Sequence, residues 1–274
     1  MAITTLAQVR SGLQVPAQYI KSPNSNGVAG NWCTLWDRAF HPLPGVWDTT
    51  PAGVALVAPV TGQIAFNNPP SGNAYLARFA AMSQRSNVLG TGGAMLLDRL
   101  WHNGGFVLNT SSTQTINSVA FPARDENGSS DGVGVLLALI INTTSTTGGP
   151  PSTIAVGYTN SNGVAGRIAT SLYATTAAVN PCHIYPLNLD VGDVGVRSVQ
   201  TLTFTNPWTT GAAALIAYRP IALIPTDYNP RALAIDAISG AMPRLFNDSV
   251  LELWVEQGAN TIFMASAEVT CTFG

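Results

Sequence analysis

The uninterrupted apolar run VGVLLALII, Val133 to Ile141, limits the folds open to this chain more than any other stretch. It is too short to cross a membrane as a helix. Its Val, Leu and Ile content fits a strand with both faces covered. Asn142 to Ser152 is Thr, Ser, Gly and Pro, a loop by chemistry, because Gly admits positive φ and Pro removes backbone donors. Thr153 to Thr159 alternates and resumes a strand. Asn162-Gly163 is a strong hairpin signal within the turn Asn160 to Gly166, and Arg167 to Tyr173 leads back. This part of the chain therefore reads as three strands in a meander with no reactive group.

The remainder of the chain repeats the pattern. Cys182 to Leu189, Arg197 to Thr205 and Ala212 to Ala222 read as strands, and Ser112 to Ala120 as another. Val54 to Val60 with Gln63 to Phe66 predicts a hairpin about Thr61-Gly62. Ser249 to Glu256 with Asn260 to Phe273 predicts a final one. Helical spacing is found at Leu6, Val9 and Leu13, with Thr4 or Thr5 as the cap. It recurs in Ala74 to Gln84, the best interior helix by its Ala content, and a short helix is expected around Ala232 to Ile238. Short strands separated by Gly and Pro turns imply an all-β, mainly antiparallel, jelly-roll-like sandwich with one or two short helices. A length of 274 residues allows one domain or two β subdomains, a β-rich region 1–130 and a β-sandwich region 131–274.

Charged residues make up only 9% of the chain, against roughly a quarter in ordinary soluble domains. A surface of Thr, Ser, Asn and Gly has little charge repulsion to keep copies apart, so it suits coverage by neighbours. A secreted or periplasmic β-protein is the plainer alternative. Lys21 is the sole lysine, the arginines are scattered and the formal charge is −2, so no nucleic-acid footprint is present. Cys33, Cys182 and Cys271 are odd in number and far apart, which predicts free, buried thiols with neither a disulfide framework nor a zinc site. The first residues carry no signal-peptide pattern, and synthesis in the cytoplasm fits best.

Reactive groups cluster in two similar heptapeptides, LWDRAFH (Leu35 to His41) and LLDRLWH (Leu96 to His102). Each supplies an acid, a cation and a histidine: Asp37, Arg38, His41 and Asp98, Arg99, His102. A hydrolase would need such groups to meet at a nucleophile and oxyanion donors. The structural alternative has the Asp-Arg pair holding a buried turn and the histidine capping a carbonyl. LGTGG (Leu89 to Gly93) lacks the lysine of a phosphate loop. Asp190 and Asp193 could bind a cation or make local turn bonds. Cys182 and His183 are neighbours, so on a strand they face opposite ways. The six tryptophans could form a sugar platform or a core. No catalytic, cofactor-binding or metal-ligating residue is nominated, and no cofactor is expected.

Four stretches, LLDRLWHNGGF (Leu96 to Phe106), YTNSNGVAGR (Tyr158 to Arg167), YRPIALIP (Tyr218 to Pro225) and MPRLFNDSVLELW (Met242 to Trp254), together resemble structural proteins of tailed bacteriophages. The resemblance implies a β-rich, non-enzymatic virion protein that decorates or cements the capsid surface. It implies as partners the major capsid protein and further copies of the chain, as a trimer or larger homo-oligomer. Neither nucleic acid nor membrane is expected as a partner. A receptor- or carbohydrate-binding tail module, or a tail or collar subunit, is the alternative. Candidate contact elements are the N-terminal segment through Lys21, the loop Thr143 to Ser152 and the charged loop Ala123 to Asp131.

Overall fold

A computed structural model describes residues 3–22, 30–85, 92–142, 152–172, 181–226, 233–257 and 262–274. Helix α1 (Leu6–Gly12) is followed by β1 (Ala17–Lys21), β2 (Asn31–Thr34), β3 (Phe40–His41) and β4 (Val54–Ala55). Two long strands come next, β5 (Ala74–Arg85) and β6 (Gly92–His102), then β7 (Gln114–Thr115), β8 (Leu136–Ile141), β9 (Ile154–Asn160) and β10 (Arg167–Ser171). The chain ends with β11 (His183–Asn188), β12 (Val196–Phe204), β13 (Ala213–Thr226), β14 (Leu233–Asp236), β15 (Arg244–Leu245), β16 (Leu251–Gln257) and β17 (Ile262–Phe273). The fold is all-β and antiparallel, with one short helix among the described residues, as the strand-and-turn pattern implies.

Two sheets pack as a sandwich. The smaller runs β14-β5-β17-β1-β3, with β15 also on β5. The larger runs β2-β16-β6-β13-β8-β11-β10-β9-β12-β7, with β4 on β6. Because β2 pairs β16 on one side and β11 on the other, six strands of the larger sheet close into a ring. A small barrel must fill its interior with side chains. Here Leu97, Ala138, Ile140, Ile184, Ile216 and Trp254 do so. Outside the ring, Leu96, Leu253 and Val255 pack against Leu76, Phe79 and Val269 of the smaller sheet. On another side, Leu137, Leu139 and Leu215 pack against Val156, Leu202 and Phe204, where β9 and β12 fold back over the ring. The run Val133 to Ile141 is apolar on both faces because β8 serves two cores.

Several local expectations change. Ala74 to Gln84 is not a helix but most of β5, which pairs β17 along eleven residue pairs. A register shift between Thr270 and Cys271 leaves Ala77 unpaired, so Leu76 and Phe79 reach the same core three residues apart. A β-bulge has thus imitated helical spacing. The helix expected from Ala232 is, over Leu233–Asp236, the edge strand β14, closed by a turn in which the Asp236 carboxylate accepts from Ile238 N and Ser239 N. β16 and β17 do not form a hairpin: Val255 faces Cys33 and Ala94, while Val269 faces Phe79 and Ala17. β4 pairs β6, and Ile64 bridges Leu251, so the Thr61-Gly62 turn joins no hairpin either. β9 and β10 do form the expected hairpin, but β11 and β10 separate β8 from β9. α1 stands as anticipated, with Thr5 as N-cap in a capping box with Gln8.

The cysteine expectation is corrected as well. Cys33 and Cys182 are disulfide-bonded, joining positions 149 residues apart. Both are buried, and they sit where β2 meets β11. That seam has only two residue pairs, Cys33–His183 and Trp32–Ile184, against ten between β6 and β13. The bond therefore clamps the weakest joint of the ring. No spacing rule brings these cysteines together, because only closure of the ring does. Cys271 is free and buried, and burial raises its thiol pKa to about 12, as an inert thiol requires. Cys33→Ser is expected to lower stability by about 2–4 kcal/mol, read by urea unfolding against the oxidised parent. An unchanged midpoint would mean that the two-pair seam holds without the bond.

Candidate functional site

The residues that sequence reasoning singled out lie around one end of the ring. Adjacent strand residues face opposite ways, so Asp98 points outward from β6 while Arg99 points inward. Asp98 is fully buried. Its carboxylate accepts Arg124 Nε at 3.0 Å and Arg124 Nη2 at 3.2 Å. It also accepts Ser249 Oγ at 2.8 Å and Val250 N at 2.9 Å, holding the turn that enters β16. Arg219, its cross-strand partner, lies at 3.9 Å and donates to the Arg124 carbonyl at 3.0 Å. Asp98 thus holds a buried turn, and its arginine partners come from far along the chain rather than from the next residue.

Inside the ring, Arg99 donates to Glu252 Oε2 at 3.2 Å, and both side chains are fully buried. Glu252 also accepts from Thr34 Oγ1 and, at 3.0 Å, from Trp254 Nε1. Burial pushes the Glu252 carboxyl pKa upward, and the Arg99 charge opposes that. Burial likewise lowers the Arg99 pKa, opposed by Glu252. The guanidinium carbon lies 4.4 Å from both the Trp36 and the Trp47 ring centres, a cation held between two π faces. Trp47 Nε1 in turn donates to Asp37 at 3.1 Å, and His102 stacks on the Trp47 ring at 5.7 Å. Asp37, Arg99 and His102 therefore meet at Trp47, which no sequence pattern marked.

The segment that carries Trp47 plugs this end of the ring. It crosses directly over Trp36: Gly45 N donates to the Trp36 carbonyl at 2.8 Å. A Cβ on Gly45 would lie 2.2 Å from the Trp36 indole, so glycine alone fits. Of the first heptapeptide, Asp37 pairs Arg38 at 2.8 Å, and His41 is exposed on the edge strand β3. The two heptapeptides thus supply one plugged core, in which Asp37, Asp98 and Arg99 are held by neighbouring chain, while Arg99 Nε and Nη2 and His102 Nδ1 have no hydrogen-bond partner among the described residues.

The other candidates are similarly engaged. Arg167 lies between Asp193, at 2.9 Å, and Asp190, at 3.4 Å. Asp193 also accepts Tyr158 Oη at 2.5 Å and Asn160 Nδ2 at 2.7 Å. Arginine occupies the position a cation would take. Trp36, Trp47, Trp101, Trp208 and Trp254 are buried, and Trp32 is half-buried, so they form cores rather than a sugar platform. Cys182 is spent in the disulfide, and His183 accepts from Asn31 Nδ2 at 2.5 Å. Most of LGTGG lies outside the described residues.

The anticipated contact elements also change. Lys21 is fully buried, donating to the carbonyls of Arg38 at 2.8 Å and Pro42 at 2.5 Å. Burial lowers its pKa to about 8. Ahead of it, α1 buries Val9 and leaves Leu6 exposed, and Leu13 and Val15, between α1 and β1, are exposed as well. In the loop Ala123 to Asp131, Arg124 and Asp125 turn inward. The Asp125 carboxylate gathers the backbone amides of Asn127, Ser129, Gly132 and Val133. Residues 143–151 of the loop Thr143 to Ser152 lie outside the described residues.

Two outcomes are expected. Asp98→Asn leaves Arg124 and Arg219 without a counter-charge and should cost about 3–5 kcal/mol. Arg78→Ala, which removes an exposed pair with Glu268, should cost under about 1 kcal/mol. Urea titrations compare them. Secondly, burial holds the pKa of His102 at about 2 and that of His183 at about 4, so both stay neutral when folded. The unfolded chain takes up these protons below about pH 6.5, so it binds more protons than the native state. Stability should therefore fall as pH drops from about 6.5 towards 4, with a slope approaching about 2.7 kcal/mol per pH unit. His183→Gln should roughly halve that slope; an unaltered slope would assign the acid sensitivity to other groups.

No protein-family model matches the chain, and no curated protein is similar to it in sequence. Among solved structures, the chain is similar to the infectious bursal disease virus VP2 subviral particle, at 8% identity and a TM-score of 0.23, over 96% of this chain and 81% of that one. It is similar also to infectious bursal disease virus Gt strain, at 10% identity and a TM-score of 0.21, over 95% and 82% of the two chains. Scores of this size lie below those of a shared fold, and the functional reading rests on the chain's own residues.

Proposed function

We propose that this chain is a non-enzymatic structural protein of a virion, one that decorates or cements a phage capsid through protein–protein contacts. The observation that carries the reading is how the chain distributes its charge. Twelve basic and fourteen acidic side chains serve 274 residues. Among the described residues, seven of them, Lys21, Asp98, Arg99, Arg124, Asp125, Arg219 and Glu252, are buried. A chain already poor in charge thus spends much of it internally and leaves an outside dominated by uncharged polar and apolar groups. Such a surface costs little to desolvate against a neighbour, since few ions must be stripped of water. The four phage-like stretches support the same reading, and three of them contribute Asp98, Arg99, Arg219, Ser249 and Glu252 to the buried clusters. Partners on this reading are the major capsid protein and other copies of the chain, on the capsid surface. The burial of five tryptophans weighs against a glycan-binding tail module built on aromatic platforms.

Mass photometry of the purified protein with empty phage shells tests this. Saturable binding at a fixed copy number per shell is the expected result. A stable free protein that never binds shells would overturn the capsid assignment and move the search to tail structures and glycans.

A further inference from the structure

One face of the molecule carries, among the described residues, two central rows without formal charge, bordered at the start of β12 by Arg197, which pairs with Asp131 at 3.5 Å. On the strands that fold back over the ring, inward residues such as Val156, Tyr158, Ala169, Leu202 and Phe204 are buried in the core beneath. The outward residues between them form regular rows. Thr115, Thr201, Gly157 and Ile168 lie side by side across β7, β12, β9 and β10. In the next row, Thr203, Ala155 and Thr170 are neighbours, and the hydroxyls of Thr113 and Thr203 are 2.9 Å apart. None of these side chains is charged.

The face has relief. Ile168, Thr170 and Leu172 project from β10 and its end, with Ile168 47% and Leu172 59% exposed. Beside that ridge, β9 presents the small residues Ala155 and Gly157, a trough that Thr159 closes at one end. A Cβ on Gly157 would meet Thr201 Oγ1 at 2.3 Å, so the trough floor cannot be raised without moving the threonine row.

We infer that this face is where a second copy of the chain packs, sheet against sheet. The inference rests on the assembly reading above and names a surface for its self-contact. A two-fold axis lying along the strands between β9 and β10 would set the ridge of each copy over the trough of the other. The uncharged central rows are what make the face compatible with itself: a two-fold brings like residues together, and Arg197, the charge at the border, has Asp131 of its own chain as counter-charge. With two, nine, seven and five residues in β7, β12, β9 and β10, at about 3.4 Å per residue and about 4.8 Å between strands, the face covers roughly 380 Å². A stable pair needs roughly 800 Å² from each partner. The face alone therefore supports a reversible pair that depends on concentration, and neighbours on a larger assembly would reinforce it.

Sedimentation velocity over a dilution series, without shells, is the test. The expected result is a reversible pair whose dissociation constant rises about tenfold or more in Ile168→Asp and in Thr203→Lys. Both positions point away from the core, and thermal unfolding checks that each variant is folded. Ile238→Asp, at a 78% exposed position on the turn after β14, should leave the pairing unchanged. A parent that stays monomeric throughout, or face variants that pair like the parent, would overturn the inference. Should the face variants lose shell binding while pairing as before, the face belongs to the shell contact, and the self-packing inference falls while the capsid reading stands. Loss of shell binding by the parent itself would strike the capsid reading and leave the pairing result to be judged alone.

Discussion

Two buried charge clusters on opposite faces of β6 hold the structure together. A carboxylate or guanidinium taken out of water costs several kcal/mol, recovered only when the geometry of the partners is good. Asp98 has four donors from Arg124, Ser249 and Val250, and Arg99 has Glu252 together with two indole faces. Each partner comes from a different part of the chain. The loop before β8, the turn into β16, strand β13 and the plug that carries Trp47 can satisfy these groups only when all are in place. An interaction that is costly unless complete thus selects one arrangement among the many a uniformly apolar core would accept.

The clusters also link fold to function. A chain with so few ions would ordinarily keep them outside for solubility. Here Asp98, Arg99, Arg124, Arg219 and Glu252 specify the interior, and the exterior combines Thr, Ser, Asn, Gly and scattered Val and Leu with a few ion pairs such as Arg78–Glu268 and Arg197–Asp131. The same economy that gives the core its uniqueness gives the surface its readiness to be covered. The clamp between Cys33 and Cys182 complements this, since it fastens the joint of the ring with the fewest backbone pairs.

Strand content was legible because alternation and Gly/Pro turns are local signals. Val133 to Ile141, the Asn162-Gly163 hairpin and the capped helix at Thr5 could all be read from neighbours a few residues apart. The errors share one cause. In β5, a bulge at Ala77 gave Leu76 and Phe79 helical spacing. At the C-terminus, two strands joined by a short connection went to different sheets, because β16 closes the ring and β17 lies between β1 and β5. Both outcomes depend on partners more than 150 residues away, which a local window cannot contain.

The heptapeptides show the same division at the level of single residues. That Asp98 and Arg99 would do structural work could be read from the lack of a nucleophile or oxyanion motif nearby. That they would face opposite sides of one strand follows from the two-residue period. Which groups would answer them could not be read. Arg124, Arg219 and Glu252 are ordinary residues in the chain and become partners only through the pairing of β6 with β13 and β16. Composition and periodicity settled the all-β class and the charge-poor character, because both are sums over local preferences. Closure of the ring, the disulfide and the partners of each buried charge arose in three dimensions, because each is a contact between distant segments whose cost is met only when the whole sheet has formed.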